Sequence, residues 1–213
     1  MKTKSFGLHL GLIFAIVVML FGATYAFYAI GAINVIIGGR HYDFEMDLNM
    51  TSLKTASAFI PIKDSYIPNV IDNNPKCVDA NGYEVCSLFQ LDITNMASAN
   101  TLTGFVKTVS SGYSTSNLKC QLYTYSNSKY TAISDVISLS PTAGTENEFT
   151  IGGNDLSLSI ADGSVTEVTN TYFLAVWLSE TDAITGTGDQ GKTYMGQVVF
   201  DVDGGQIQSR FNT

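Results

Sequence analysis

Apolar side chains recur with a period of two in stretch after stretch of this chain, and helical periodicity is almost absent. Phe89, Leu91 and Ile93 alternate with polar residues, and so do Leu156, Leu158 and Ile160; Tyr194, Gly196, Val198, Phe200 and Val202 make another row of the same period. A period of two places one set of side chains on a single face of an extended strand, so each stretch reads as a strand with one buried face. Tyr172–Leu178 is apolar on both faces, which suits a central strand. Its rows are Tyr172, Leu174, Val176 and Leu178 on one side and Phe173, Ala175 and Trp177 on the other.

The remaining expectations fall between these anchors. His41–Leu48 alternates strictly, with Tyr42, Phe44, Met46 and Leu48 sharing a face. Ser57–Ile62 reads as a short strand or sheet edge ending at Pro61, and Asp64–Lys76, with Pro68, Pro75 and several Asn, as a loop. Leu102–Val109 is expected as a strand broken by Gly104; Leu118–Tyr125, Tyr130–Leu139 and Gln206–Phe211 complete the set, with Thr181–Gln190 as a long polar loop. About ten short strands at near-regular spacing indicate an all-β sandwich.

Three cysteines permit at most one internal disulfide. Cys77 and Cys86 enclose an Asn81-Gly82 turn signal that brings the flanking sulfurs together; two reduced cysteines are the alternative, imposed by a reducing compartment. Cys120, in register with Leu118 and Leu122, reads as a buried free thiol.

The first forty residues differ in kind. Leu10–Ile37 contains no charge, and Lys2 and Lys4 precede it. Leu10–Gly22 has the character of a signal-peptide core, with small residues Thr24 and Ala26 at positions −3 and −1 of a cleavage site between Ala26 and Phe27. The alternative is a retained membrane anchor, since Leu8–Tyr28 is a long enough helix to span. Either way the amino terminus starts in the cytoplasm and the rest is outside, at the cell surface or beyond.

Export does not require Phe27–Ile37, yet these residues stay apolar. Phe27, Tyr28, Ile30, Ile33, Val35 and Ile37, with Gly31 and Gly38-Gly39 nearby, suit an extended segment. Three readings stand: a first core strand, an over-long membrane helix, or an apolar strand that completes the sheet of a neighbouring molecule.

Charge narrows the partners. Lys+Arg is 11 against Asp+Glu 19, a net charge of −8. Such a surface repels phosphate backbones, so nucleic acid is not an expected partner. With only His9 and His41, histidine-based catalysis and zinc sites have almost no material. Oxygen-rich loops at Glu180, Asp182 and Asp189, and at Asp201, Asp203 and Gly204-Gly205, have the ligand type for Ca²⁺ or a sugar but match no calcium-loop spacing. They read first as solvated turns. Trp177 beside Glu180 reads as core packing next to an edge acid, and Lys192 as a surface lysine. Neither an enzyme activity nor a cofactor is expected.

The segment Gly22-Ala23-Thr24-Tyr25-Ala26-Phe27-Tyr28, followed by Gly38-Gly39 and an alternating strand, resembles the start of the TasA/camelysin family of secreted proteins of Gram-positive bacteria. Cys77–Thr94, Tyr172–Glu180 (YFLAVWLSE) and Asp189–Val202 (DQGKTYMGQVVFDV) are similar to surface proteins of Firmicutes with the same leader. The resemblance implies a jelly-roll-like sandwich, processing by a dedicated signal peptidase, and an extracellular matrix fibre in which the mature amino-terminal strand inserts into the next subunit.

The expected organisation is therefore an all-β, jelly-roll or Ig-like sandwich over residues 41–213, preceded by a hydrophobic helix (1–26, signal peptide or anchor) and an extended segment (27–40). Self-association into fibres is the leading expectation. A membrane-anchored module binding a glycan or a protein is the second.

Overall fold

The computed structural model describes residues 46–180, 189, 191–202 and 205–213. The leader, the Ala26–Phe27 junction, the segment 27–40, residues 41–45 of the first expected strand and most of the 181–190 loop lie outside the described residues.

Among the described residues thirteen strands follow in order: β1 (Met46–Lys54), β2 (Cys86–Asn95), β3 (Asn100–Ser111), β4 (Leu118–Ser126), β5 (Lys129–Ala132), β6 (Ile137–Ser138), β7 (Glu146–Glu148), β8 (Thr150–Ile151), β9 (Asn154–Asp155), β10 (Leu158–Ile160), β11 (Val168–Leu178), β12 (Tyr194–Val202) and β13 (Gly205–Asn212). One sheet has the order β1-β2-β11-β4-β5, with β6 also on β4; the other runs β10-β3-β12-β13, with β7 on β3. β8 and β9 form a separate small hairpin. Every pairing between these strands is antiparallel.

The alternating rows explain how the two sheets meet. Met46 and Leu48 of β1, Phe89, Leu91 and Ile93 of β2, and Leu174 and Val176 of β11 share one buried cluster with Leu102 and Val106 of β3, Val198 and Phe200 of β12, and Ile207 and Phe211 of β13. Those inner rows form the core of a two-sheet sandwich. Cys120 is fully buried in the same cluster, and burial pushes its thiol far above the ordinary range.

β11 is central, between β2 and β4, and both its faces are covered. Its outer row, Phe173, Ala175 and Trp177, packs with Leu88 of β2 under Ile62, Ile67, Val70, Ile71 and Val85. This corrects the reading of 64–76 as a loop. A 3₁₀ turn at Asp64–Tyr66 leads into a helix at Ile67–Asp72, which buries Ile67, Val70 and Ile71. Pro68 sits in the first helical turn, where its missing N–H costs nothing. Asp64 anchors this cover: its Oδ1 accepts from Trp177 Nε1 at 2.8 Å and from Ser179 Oγ at 2.7 Å. Ser57–Ile62 forms no strand; Ile62 makes a single parallel bridge to Ser179.

Two further expectations change. Gly104 lies inside an unbroken β3, directly opposite Phe200 of β12. A Cβ there would sit 2.4 Å from Phe200 Cδ1, so glycine makes room for the ring rather than ending the strand. Tyr130–Leu139 is not one strand but β5 and β6. Between them the buried Ser134 hydroxyl accepts from Leu122 N–H at 2.9 Å, a side chain standing in for a ladder bond.

The Cys77–Cys86 disulfide is formed, with the Cα atoms 4.9 Å apart. The turn it closes has Gly82 at φ +88°. Its shape is set mainly by Asp79, whose Oδ1 accepts from the N–H groups of Asn81 (2.9 Å) and Tyr83 (2.8 Å). Lys54 of β1 forms an ion pair with Glu84 of this loop, fastening the edge strand to the covered face.

Candidate functional site

The two flanks of the sandwich are built differently. On one flank the outer strands are fragments: β5 has four residues, β6 two, β7 three and β10 three. Short edges of this kind are poor templates for further pairing. The other flank ends in β1 and β13, nine and eight residues long. The two are in contact across the sandwich, and Phe89 of β2 meets Phe211 of β13 with ring centroids 5.1 Å apart.

β1 carries protective features. Its register with β2 shifts between Ser52 and Lys54, and it holds Asp47 and Lys54. β13 carries few. It pairs with β12 without interruption from Val202↔Gly205 to Met195↔Asn212, and contains no proline and one charge, Arg210. Among the described residues β12 is its sole strand partner. Ile207 and Phe211 are buried, while Gln206, Gln208, Arg210 and Asn212 are exposed. A long, regular edge strand of this kind presents its outer N–H and C=O groups as a template for an added strand. Phe211 is seated over Gly196 of β12, where a Cβ would approach the ring to 2.5 Å.

The loop acids take other roles. Asp189 is buried at 2% exposure. Its Oδ1 accepts from Ser114 N–H (3.0 Å) and Ser114 Oγ (2.9 Å), and its Oδ2 from Thr115 Oγ1 (2.7 Å). Burial opposes its charge, but these bonds outweigh it and hold the carboxyl below its ordinary range. Asp189 is thus an anchor between two loops, with its oxygens already engaged. Asp201 accepts from Gln206 Nε2 at 2.8 Å, and Glu180 is exposed, its backbone N–H on Ile62 O. Asp182 and Asp203 lie outside the described residues. Among the described residues no three metal-ligating side chains converge.

Glu148, Asp155 and Asp201 rim a depression of about 60 Å³ floored by Gly104 and Phe149. Small-molecule sites usually enclose ~300–1,000 Å³, so this hollow is too small for one. Trp177 is fully buried under the covering segment and offers no platform to a ligand.

Of the residues singled out in the sequence, Cys77 and Cys86 are joined. Ala26, Phe27, Tyr28, Ile30, Ile33, Val35 and Ile37 lie outside the described residues. The β13 edge was legible as a strand, but nothing in its sequence says that it ends a sheet.

No family model and no curated protein matches this chain. Among solved structures it is similar to Spo0M, a sporulation control protein from Bacillus subtilis, with 8% identity and a TM-score of 0.33, over 79% of this chain and 48% of that one. It is also similar to AvmM, described as catalysing macrocyclization in alchivemycin A biosynthesis, with 10% identity and a TM-score of 0.34, over 81% of this chain and 93% of that one. The chain thus spans about half the length of the Spo0M chain it matches. At these values neither likeness bears on activity, substrate or partner.

Proposed function

We propose that this chain is a non-enzymatic, extracellular structural protein of TasA/camelysin type, with a jelly-roll-like sandwich that assembles by strand donation. In this reading the leader exports the chain, cleavage after Ala26 frees Phe27, and Phe27–Ile37 of one copy adds to the β13 edge of the next. Before processing, the same run holds the chain at the membrane. The observation that carries the reading is the β13 edge: eight residues in unbroken register, with a single charge, on the one flank whose edges are long. The donor is supported by its composition, since eleven consecutive uncharged residues rich in Ile gain most from burial in a sheet.

The test compares chains 27–213 and 40–213 by sedimentation velocity and negative-stain electron microscopy. The longer chain forms fibres and the shorter stays monomeric. A peptide of residues 27–40 added to the shorter chain raises its Tm through mass action. If both chains remain monomeric, or both assemble equally, strand donation is wrong. Amino-terminal sequencing of the exported protein checks the first step; a retained leader favours the anchored module instead.

A further inference from the structure

The outer face of the first sheet is divided in two. The segment around the Ile67–Asp72 helix covers one half. Among the described residues nothing covers the other half, and the strand registers order its side chains in rows. Asp47 lies opposite Thr94, which lies opposite Thr169; Asn49 opposite Asp92, opposite Thr171; and Thr51 opposite Gln90, whose neighbour on β11, Phe173, already belongs to the covered half. Asp47, Asn49, Thr51, Thr169 and Thr171 are exposed, and Gln90, Asp92 and Thr94 half-buried.

These groups are already oriented by one another. Gln90 Nε2 donates to Asp92 Oδ2 at 2.8 Å, Thr171 Oγ1 donates to Asp92 Oδ1 at 2.7 Å, and Thr94 and Thr169 hydroxyls lie 3.2 Å apart. At the border of the covered half stands Tyr125 of β4, 48% exposed. Its ring is braced by Tyr130 at 4.7 Å and by Phe173 at 6.1 Å. Lys76 Nζ lies 4.4 Å from the Tyr130 ring centroid and 5.7 Å from that of Tyr125, and donates to Tyr130 Oη at 3.0 Å.

We infer that this face binds an extended, uncharged polysaccharide, with a sugar ring stacked on Tyr125 and its neighbours hydrogen-bonded to the Gln90–Asp92–Thr171 group. The chemistry selects this ligand among the alternatives. The face is broad and shallow, so it suits a polymer rather than a small molecule. Beyond the Tyr125 border its rows are hydroxyls, amides and carboxylates, without the apolar centre that anchors a protein partner. Its carboxylates and the net charge of −8 repel anionic polymers, and Lys76, the cation beside the Tyr125 ring, is engaged with tyrosine. A pyranose matches both parts of the surface: its C–H face stacks on a rigid aromatic ring, and its rim of hydroxyls pairs with fixed acceptors and donors. Strand spacing of about 4.8 Å sets those partners at intervals comparable to the advance of one sugar along an extended chain. This inference does not depend on strand donation, because the rows lie on a sheet face and the donor is assigned to a sheet edge.

The test is affinity electrophoresis of the full chain, in mild detergent, through gels containing hydroxyethylcellulose, laminarin or mannan, with alginate as the anionic polymer. At least one neutral polymer is expected to retard the protein while alginate does not. Tyr125→Ala should weaken that retardation about tenfold, the scale of one lost aromatic contact in a site of this kind. Thr171→Lys, a change at an exposed position that leaves the core intact, should abolish it. Tyr83→Ala, at an exposed tyrosine of the disulfide loop, should leave it unchanged. Lack of retardation by all three neutral polymers, preference for alginate, or full binding by Tyr125→Ala and Thr171→Lys overturns the inference. Equal loss with Tyr83→Ala also overturns it, because the effect is then not confined to this face. The outcome is independent of whether chains 27–213 and 40–213 assemble.

Discussion

Adding one methyl group at Gly104 tests how the second sheet is packed. The residue lies in β3, and its φ is outside the left-handed region, so alanine fits the backbone. With open space above it, a Gly→Ala change would stabilise the fold by about 0.4–1 kcal/mol through the unfolded chain. The space is not open. The new Cβ would lie 2.4 and 2.7 Å from two carbons of the Phe200 ring and 2.7 Å from Val199 O. Carbon–carbon contacts are optimal near ~3.5–4.0 Å, so the ring must move by roughly 1 Å. Phe200 is fully buried and stacked 6.2 Å from Phe149, which leaves it little room. Overpacking of this kind costs ~1–3 kcal/mol and outweighs the entropic gain. At about 2–4 °C per kcal/mol for a chain of this size, the Tm of Gly104→Ala should fall by several degrees. Thermal and urea unfolding followed by near-ultraviolet circular dichroism measure it. In a Phe200→Leu background, where the colliding ring is gone, the same substitution should cost at least ~0.5 kcal/mol less. A neutral or stabilising Gly104→Ala, or an equal cost in both backgrounds, refutes the reasoning.

Three other perturbations have defined outcomes. Reducing the Cys77–Cys86 bridge, or replacing both residues with serine, reopens a loop of roughly ten residues and should cost about 2.7 kcal/mol on the chain-entropy account; an unchanged Tm in reductant contradicts this. The Glu84 carboxyl is held down to about 2 by the side chain of Lys54, then by the N–H and hydroxyl of Ser57. A depressed carboxylate stabilises the fold above its unfolded value of 4.5, and that contribution is lost as pH falls toward about 2. The pair is partly exposed, so Glu84→Gln should cost at most ~1 kcal/mol at pH 7 and nothing below pH ~2; a difference that persists at the lowest pH would point elsewhere. Asp64→Ala leaves the buried donors of Trp177 and Ser179 without an acceptor and should cost ~1–3 kcal/mol, with a change in the fluorescence of the single tryptophan. Asp64→Asn keeps one oxygen and should cost less; equal losses would place the effect in charge rather than hydrogen bonding.

The residues differ in how far their roles could be read in advance. The rows of β2, β11 and β12 were legible because a strand buried on one face must alternate, and one buried on both must be apolar throughout. The Ile67–Asp72 helix was hidden, since its six residues, fewer than two turns, give Ile67, Val70 and Ile71 too short a span to reveal a period, and Pro68, Asn69, Asn73 and Asn74 spell a loop. Gly104 read as a break because a glycine's lack of side chain looks the same whether it marks a turn or makes room for Phe200. Asp189 read as a loop acid open to solvent because its partners, Ser114 and Thr115, lie some 75 positions away.

The sequence by itself determined the β character of the chain beyond its leader, the one pair of cysteines placed to bridge, the buried character of Cys120 and the separation of an uncharged amino-terminal run from an acidic remainder; that Cys77 and Cys86 are joined is seen in the structure. These follow from local period and composition, which any fold must satisfy. Only the tertiary structure decided, among the described residues, which strands end a sheet, that β13 is long and regular while the opposite flank is fragmented, and that half of one sheet face is covered and half is open. Strand order and coverage arise from pairings between residues far apart in the chain, such as Met46 with Asn95 or Gly196 with Thr108, and no local pattern encodes them.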